Sequence, residues 1–340
     1  MKIIFDYRVL THKTYTGVEN YTKNILENLK NKCKINITKP IITNKYLSHL
    51  WTHFILPFKS GNILFCPANI SPIFIPKSKK LVVTIHDVAF LRYPESFSIF
   101  FRIYYKLIIP IVIKRAEIIL TVSNYSKNEI EKYYPISKGK IKVIYLGYDK
   151  DFKVFDKIKK KNQILFVGSI NKRKNFIGVI KAFELLNIKD YNLLIVGNFS
   201  TNFFLDENDK IVIEKAKKNP NIVFKSNINN RELIQIYNES KLFLLPSFYE
   251  GFGLPVLESM ACGTPVICSD SSSLPEVGLN AVIYCDAYDI NNIKEKIELV
   301  LSDENLQKEM IKKGLELVKL FNWEKSAQEH IKIFEEVLKN

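Results

Sequence analysis

Short apolar runs alternate with segments of helical length along most of the chain. In the first half, strands are predicted at 2–7, 62–68, 80–87 and 116–123, and a helix is predicted at 18–30. In the second half the alternation is clearer, with apolar runs at 164–169, 192–197, 221–226, 242–246, 265–269 and 281–285. Short apolar strands separated by helices predict a parallel sheet that helices cover on both faces. Ligands of such a doubly wound sheet bind beyond the carboxyl ends of its strands.

Two features of the pattern divide the chain. Residues 153–163 carry a lysine run without strand or helix signals, which indicates an exposed linker and a domain boundary near Phe155. From Asn291 onward the pattern is helical and contains no strand.

Two local signals lie in the first half. Pro110 is expected to break or kink a helix over 97–116. Ser126 with Glu129 has the spacing of a capping box.

The stretch 245–267 combines the features of an anion site. It follows a buried strand and contains Gly251 and Gly253, which let the backbone pass close to a ligand, before a proline opens a short helix. The amides from Phe252 to Leu254 would lie at the helix N-terminus, where N–H groups and the helix dipole favour phosphate. The stretch therefore predicts a phosphate-binding turn.

Two carboxylates, Glu250 and Glu258, stand in this stretch with seven residues between them. A carboxylate offers two acceptor oxygens to neighbouring hydroxyls, so one acid could hold a sugar ring and the other a ribose. A solvated loop acid and a helix acid satisfied near the helix N-terminus fit the same spacing.

Four positions elsewhere are further candidates. Arg173 and Lys174 lie between a predicted strand and a helix, where a guanidinium fork and an ammonium point charge form a phosphate clamp, although a solvated basic turn has the same pattern. His86 ends an apolar strand at the edge where ligand sites form, although a core histidine bonded to backbone would also stand there. Gly17 lies where the first strand meets the first helix and permits close approach of a ligand.

Composition supports an ordinary globular protein. The chain has 340 residues, of which 47% are hydrophobic, enough for two cores. Its five cysteines form no C-x-x-C or Cys/His cluster, which is typical of reduced thiols in a cytoplasmic protein. The N-terminus is too short and too charged for a signal peptide, and no apolar run approaches the roughly 18 residues of a membrane span.

The net charge of +15 leaves two interpretations open. Excess Lys and Arg attract polyanions such as the acidic membrane face, but genome bias also produces lysine-rich proteins. Segment 97–116 mixes aromatic and aliphatic residues with four bases, so it fits either a helix at a lipid interface or a buried helix. No nucleic-acid motif or stacking platform is present, so nucleic acid is not an expected partner.

One acid pair resembles a metal site. Asp149 and Asp151 form a D-x-D, but one such pair is expected by chance, and no third oxygen ligand stands near it in sequence. We therefore expect neither a metal nor a cofactor.

The run EGFGLPVLE (250–258), followed by ACGTPVI and SSLPEV, closely resembles the signature of retaining glycosyltransferase family 4. The resemblance implies the GT-B fold, an α/β architecture of two Rossmann-like doubly wound domains facing across a cleft. It also implies that Glu250 contacts the donor sugar and Glu258 the nucleotide ribose. The resemblance to the family covers nearly the whole chain and is strongest over residues 164–323.

Three shorter matches carry further implied roles. The residues T-I-H-D at 84–87 match a family motif whose His contacts the donor sugar, which implies that role for His86. The residues R-K-N at 173–175 match a second motif, which implies that Lys174, with Arg173, contacts the diphosphate. Thr16, Gly17, Val18 and Tyr21 match the T-G-hydrophobic-x-x-Y of the first loop. The chain departs from the family where Glu19, Leu146 and Ser169 replace the usual Gly, Asn and Arg.

The expected organisation is an acceptor-binding domain over 1–155, a nucleotide-sugar-binding domain over 156–322 and a C-terminal helix over 323–340 that crosses back to the first domain. The expected activity is retaining, metal-independent transfer of a hexose, with GDP-mannose the first donor and a UDP-sugar the next. The acceptor would be a glycan or lipid-linked glycan of cell-surface polysaccharide or lipopolysaccharide biosynthesis, at the inner face of the membrane. A nucleotide-sugar 2-epimerase of the same fold and a non-catalytic nucleotide-sugar binder are the alternatives.

Overall fold

A computed structural model describes residues 1–11, 17–41, 44–186, 188, 190–198 and 207–339, with Lys45 and Tyr46 described by their backbone alone. The chain forms two compact units. The first unit comprises Met1–Leu91, Ile99–Gly147 and Phe321–Asn340. The second unit comprises Arg92–Ser98 and Tyr148–Leu320.

The first unit contains a parallel six-stranded sheet within its described residues. Its strands are β1 (Lys2–Asp6), β2 (Lys34–Thr38), β3 (Ile63–Cys66), β4 (Lys80–Thr84), β5 (Ile118–Thr121) and β6 (Ile141–Val143). The helices between them are α1 (Gly17–Lys30), α2 (Lys45–Phe54), α3 (Ala89–Arg92), α4 (Ile99–Arg115) and α5 (Asn124–Tyr133). The strand order is β2-β1-β3-β4-β5-β6, so the order reverses between β1 and β3. In open α/β sheets, ligands bind at such a switch point.

The second unit also contains a parallel six-stranded sheet within its described residues. Its strands are β7 (Lys161–Val167), β8 (Asn192–Val196), β9 (Ile222–Lys225), β10 (Ser240–Leu245), β11 (Val266–Ser269) and β12 (Ile283–Cys285). Its helices are α6 (Phe176–Glu184), α7 (Glu207–Lys218), α8 (Asn230–Glu239), α9 (Leu254–Ala261), α10 (Leu274–Gly278), α11 (Ile290–Ser302) and α12 (Glu304–Leu317). The order β12-β11-β10-β7-β8-β9 reverses between β7 and β10, which places the switch point at the loops after these two strands.

The last helix, α13 (Trp323–Lys339), belongs to the first unit and packs against α1. Gly147, the last residue of that unit before the chain leaves it, lies against the start of α13. A Cβ on Gly147 would stand 2.2 Å from the backbone nitrogen of Trp323, so only glycine fits there.

The division between the units falls at Gly147/Tyr148, whereas the lysine run placed it near Phe155. The reason is that this run is fastened to the second unit and is not a free linker. The backbone N–H of Phe155 donates to Asn238 Oδ1 at 2.8 Å, and Asn238 Nδ2 donates to the carbonyl of Lys153 at 3.0 Å. The segment Arg92–Ser98 joins the second unit as well, which the sequence pattern did not indicate.

Three local predictions differ from the structure. Strand β2 was missed because this edge strand has exposed positions and no continuous apolar run. Helix α4 continues through Pro110, so of the break or kink expected there, the break is absent. Helix α5 is capped by Ser123, whose side chain accepts from the amide of Ser126, and Ser126 is therefore not the start of a capping box.

All five cysteines are free thiols, and only Cys33 is partly exposed. Among the helices that the structure describes, none has the length and apolar character to cross a membrane.

Candidate active site

The loop after β7 holds two cations in a fixed backbone conformation. Asn171 Oδ1 accepts from the amide of Lys174 at 3.1 Å, which forms a single turn over 172–174. Asn175 then adopts the left-handed conformation (φ 52°) and caps α6, with its side chain accepting from the amide of Gly178. Asparagine tolerates this conformation better than most residues do. Arg173 and Lys174 are thus positioned by side-chain caps on both sides.

The loop after β10 brings Glu250 to these cations. Lys174 Nζ donates to Glu250 Oε1 at 2.5 Å, and Ser247 Oγ donates to the same oxygen at 2.8 Å. Arg173 Nη1 lies 3.7 Å from Glu250 Oε2 and donates to the carbonyl of Tyr249 at 2.6 Å. The sequence-predicted clamp and the first motif acid therefore form one ionic cluster at the switch point of the second sheet.

The cluster is deeply buried, with Lys174 8% and Glu250 5% exposed. Burial acts to raise the pKa of Glu250, but the charges of Lys174 and Arg173 and the hydrogen bonds from Lys174 and Ser247 outweigh it, so the pKa lies below its ordinary value. Glu250 is therefore ionised at neutral pH. Two cations facing one carboxylate leave the cluster with one excess positive charge, which suits a diphosphate.

Residues 251–254 lead from Glu250 into α9. Gly253 has φ of +116°, and a Cβ there would also meet Leu274 at 2.8 Å, so glycine is required for two reasons. No side chain caps α9 at Gly253, and Leu254 is its first residue. Ser273 Oγ lies within 2.9 Å of the carbonyls of Glu250 and Phe252 and fixes the turn. The predicted helix N-terminus after Glu250 is thus present, and Ser273 holds the turn before it.

Glu258 occupies the buried side of α9. Tyr237 donates its hydroxyl to Glu258 Oε2 at 3.1 Å. Burial raises the pKa of Glu258 to about 7, with the Tyr237 hydrogen bond opposing and the charge of Asp149 adding to the rise. This acid therefore changes protonation near neutral pH, unlike Glu250.

His86 lies in the first unit, two residues after β4. Its Nε2 is 2.9 Å from the carbonyl of Pro67, and its backbone N–H donates to Asn69 Oδ1 at 2.9 Å. A carbonyl only accepts, so Nε2 carries the hydrogen. Burial lowers the pKa of His86, against smaller opposite effects of Pro67, Asp87 and Glu19, so the ring is neutral with Nδ1 as its acceptor. The backbone-bonded core histidine considered from sequence is present, and the ring still keeps one acceptor.

The structure also places Gly17, a predicted site residue, and the Asp149/Asp151 pair, which was rejected as a metal site. Gly17 is the exposed first residue of α1, and a Cβ there would meet nothing within 4 Å, while Thr16 lies outside the described residues. Asp149 Oδ1 accepts from the amide of Asp151 at 3.0 Å, so the D-x-D forms a local turn. Within the described parts of the chain, no group of three His, Cys, Asp or Glu side chains could hold a metal ion.

Sequence reasoning missed the residues that support the cluster. Ser247, Ser272 and Ser273 all hydrogen bond to Glu250 or its backbone, with Ser272 Oγ accepting from the amide of Glu250 at 2.9 Å. Tyr93 donates to the carbonyl of Phe248 at 3.3 Å. The serines follow β10 and β11, so small polar residues just after adjacent strands were the available signal.

Comparison with known families agrees with the geometry. The family model described as Glycosyl transferases group 1 matches residues 147–317, half of the chain and almost all of the second unit. The model described as Glycosyltransferase Family 4 matches residues 65–152. These matches favour a transferase over the epimerase considered from sequence.

Two curated relatives share most of their length with this chain. O-antigen chain mannosyltransferase RfbU of Salmonella typhimurium is 31% identical over 77% of this chain and 71% of its own. O-antigen chain mannosyltransferase B of Escherichia coli is 29% identical over 75% of this chain and 70% of its own.

A solved structure shows the same fold at low sequence identity. HepE of Anabaena in complex with UDP-glucose has a TM-score of 0.76, covers 99% of this chain and 100% of its own, and is 14% identical. With the two parallel sheets and the family matches, this identifies the chain as a glycosyltransferase of group 1 and family 4 with the GT-B fold.

Proposed function

We propose that this enzyme transfers a hexose, mannose in the first instance, from a nucleotide-diphosphate sugar to a growing glycan of a cell-surface polysaccharide or lipopolysaccharide. The observation that carries the proposal is the buried Lys174–Glu250–Arg173 cluster at the switch point of the second sheet. The names of the O-antigen mannosyltransferase relatives support mannose and a glycan acceptor.

The cluster has the chemistry that the reaction needs. As the bond to the sugar breaks, negative charge develops on the leaving phosphate oxygen and positive charge on the ring. Lys174 and Arg173 offer N–H donors and positive charge to that phosphate, and the amides of Gly251, Phe252, Gly253 and Leu254 at the start of α9 add the helix dipole. Glu250 is the carboxylate that faces the sugar in this proposal, and Glu258 receives the ribose hydroxyls.

The first unit would contribute two residues. The neutral His86 offers Nδ1 as an acceptor to a hydroxyl of the donor sugar. Gly17 leaves open space at the N-terminus of α1, where a diphosphate can approach the backbone.

The proposed stereochemistry is retention of the anomeric configuration. In the scheme that the family resemblance implies, the acceptor hydroxyl attacks on the face that the phosphate leaves, and the departing phosphate oxygen takes the acceptor proton. The sugar–phosphate bond breaks, the new glycosidic bond forms, and the nucleotide diphosphate leaves with that proton. The anomeric proton of the product, observed by NMR, distinguishes retention from inversion.

Lys174→Ala tests the mechanism. Loss of one charge-assisted hydrogen bond costs about 1.5–3 kcal/mol, or about ten- to a hundredfold in rate if it acts in the transition state. Lys172→Ala is the matched control, because Lys172 stands two residues earlier, is half-exposed and pairs with Asp209 at 3.7 Å. Transfer should fall in the first variant and persist in the second, and wild-type turnover in a folded Lys174→Ala protein would remove Lys174 from the mechanism.

A thermal-shift panel of nucleotide sugars identifies the donor. GDP-mannose is the first choice because the relatives are mannosyltransferases, and a UDP-sugar is the next because HepE was solved with UDP-glucose. A donor at 100 times its dissociation constant should add about 2.7 kcal/mol of stability. Stabilisation by a UDP-sugar alone would replace mannose as the donor.

We also propose that the first unit rests on the anionic inner face of the membrane. Helix α4 exposes the apolar residues Ile99, Phe100 (81% exposed), Ile103 and Leu107 to solvent, next to exposed bases such as Lys106. Helix α2 exposes Leu47, Leu50 and Phe54 and is joined to α4 by a hydrogen bond of 2.8 Å between His53 Nε2 and Tyr104 Oη. An apolar stripe with neighbouring bases is the pattern of an interfacial helix.

Vesicle flotation tests this surface. Binding should be strong to vesicles containing phosphatidylglycerol and weak to pure phosphatidylcholine, and Phe100→Asp with Leu107→Asp should abolish it. Ile211→Asp is the matched control, since Ile211 is an exposed apolar residue of α7 in the second unit. Equal binding by both variants would assign the membrane contact to another surface.

A further inference from the structure

A chain of buried hydrogen bonds in the first unit runs through the hydroxyl of Tyr21. Tyr21 Oη lies 2.8 Å from Thr84 Oγ1 and 2.8 Å from His330 Nε2. His330 Nδ1 lies 2.7 Å from the carbonyl of Ser326, which can only accept. Tyr21 belongs to α1, Thr84 ends β4, and His330 and Ser326 belong to α13, so the chain connects three elements.

The direction of each hydrogen bond follows from these partners. Burial lowers the pKa of His330 to about 4, so its ring is neutral, with the hydrogen on Nδ1 and the acceptor at Nε2. Tyr21 therefore donates to His330, and Thr84 donates to Tyr21. The phenol hydroxyl is thus held from both sides, and moving the Tyr21 ring would break these hydrogen bonds.

That ring lies against His86. The centroids of the Tyr21 and His86 rings are 4.8 Å apart, with an angle of 87° between the planes, an edge-to-face contact. His86, which lies two residues after Thr84 in sequence, is also held by its hydrogen bond to the Pro67 carbonyl. Rotation of the imidazole would break both the hydrogen bond and the ring contact.

We propose that Tyr21 and His330 are positioning residues, which hold the His86 imidazole with hydrogen on Nε2 and Nδ1 directed as an acceptor to the sugar hydroxyl. The inference rests on the proposed role of His86 in donor contact. It gives α13 a part in the chemistry, because His330 is the partner that orients the Tyr21 hydroxyl.

NMR of the imidazole nitrogens tests the positioning separately from activity. The chain has five histidines, so single substitutions assign the His86 signals. In the wild type, His86 should show one tautomer, with hydrogen on Nε2, across neutral pH. Tyr21→Leu removes the ring contact and should shift the nitrogen signals toward tautomer averaging, with a smaller shift in Tyr21→Phe and in Thr84→Val. Tyr145→Phe, which loses a hydroxyl bonded to Asn124 elsewhere in the unit, should leave them unchanged.

A double-mutant cycle on transfer rate shows whether the effect passes through His86. Tyr21→Phe should lower kcat about tenfold with little change in donor KM, since small misplacements of a catalytic group have effects of this size. In the His86→Ala background, Tyr21→Phe should have no further effect.

The outcomes separate two hypotheses. Unchanged His86 signals in folded Tyr21→Leu, or equal rate losses from Tyr21→Phe in both backgrounds, would overturn the positioning role. Wild-type transfer by His86→Ala would instead remove His86 from the proposed function, whatever the NMR signals show.

Discussion

The two motif acids of the second unit, Glu250 and Glu258, differ in the charged and polar groups around them. Glu250 neutralises part of a clamp of two cations, whereas Glu258 accepts a hydrogen bond from Tyr237 and has a pKa of about 7. The motif acids were found in sequence by the run EGFGLPVLE around them, but the sequence could not show their partners. Lys174 and Glu250 are 76 residues apart and meet because β7 and β10 are neighbours in the sheet.

The two acids should respond differently to removal of their charge. Glu250→Gln leaves Lys174 and Arg173 with more positive charge, so bare nucleotide diphosphate should bind at least as tightly, while kcat falls because charge on the sugar is no longer balanced. Glu258→Gln should weaken bare-nucleotide binding and raise donor KM. Glu298→Gln, in a surface pair with Lys294, is the control. Equal loss of nucleotide affinity in both variants would show that the two roles are assigned wrongly.

Protonation of Glu258 should appear in the pH dependence of donor binding. If the carboxylate accepts ribose hydroxyls, a pKa of about 7 predicts that affinity for GDP-mannose rises about tenfold between pH 6 and pH 8. The diphosphate of a nucleotide sugar does not titrate in this range, so it does not contribute. Calorimetry should find this rise in the wild type and a flat profile in Glu258→Gln, and identical profiles would exclude Glu258 as the ribose acceptor.

The contribution of Glu258 to the free energy of unfolding changes with pH in the opposite direction to donor affinity. The folded protein holds the Glu258 proton up to about pH 7, whereas the unfolded chain releases it near 4.5. Between these values the folded state binds more protons, so the free energy of unfolding falls as pH rises and is level above pH 7. In urea-unfolding measurements, the free energy of unfolding of Glu258→Gln should therefore rise more steeply, or fall less steeply, with pH than that of the wild type. His330, whose pKa is lowered to about 4, acts differently: its contribution is lost as pH falls from 6.5, and it is unaffected by Glu258→Gln.

At the scale of elements, burial decided what the sequence could predict. The central strands appear as continuous apolar runs because both their faces are covered, and all six strands of the second unit were placed within three residues at either end. The edge strand β2 (KINIT) is partly exposed and was missed. Pro110 was expected to break or kink the helix, and α4 continues through it, with Ile109, Val112 and Ile113 buried on either side.

Two glycines should separate a structural role from a ligand role. Gly147→Ala puts a Cβ into the start of α13 and should destabilise the protein by about 1–3 kcal/mol, measured as a lower Tm. Gly17→Ala meets open space, so the Tm should be unchanged, but donor affinity should fall if a diphosphate approaches that backbone. An unchanged Tm in Gly147→Ala would contradict the close contact with Trp323, and unchanged donor affinity in Gly17→Ala would remove Gly17 from the donor site.

At the scale of the whole molecule, each of the two units is built from more than one segment of the chain, which the sequence pattern did not indicate. Periodicity predicted two α/β halves, and the structure has two six-stranded sheets within the described residues. Periodicity could not predict that Arg92–Ser98 belongs to the second unit, because that assignment depends on contacts such as those of Tyr93 with Phe248 and Tyr249. Contacts between residues more than 150 positions apart leave no periodic signal.

The charge distribution of the molecule leads to the last prediction, which is that transfer does not require a divalent metal. A metal in such reactions neutralises the diphosphate, and in the proposed function Lys174, Arg173 and the N-terminus of α9, from two loops of one sheet, would do so instead. Activity should therefore survive excess EDTA. Lys174→Ala supplies the internal control: added magnesium should rescue that variant in part, since the ion replaces the lost charge, and should leave the wild type unchanged. Complete loss of wild-type activity in EDTA, restored by magnesium or manganese, would assign the neutralising role to a metal and make Asp149→Asn with Asp151→Asn the next variants to measure.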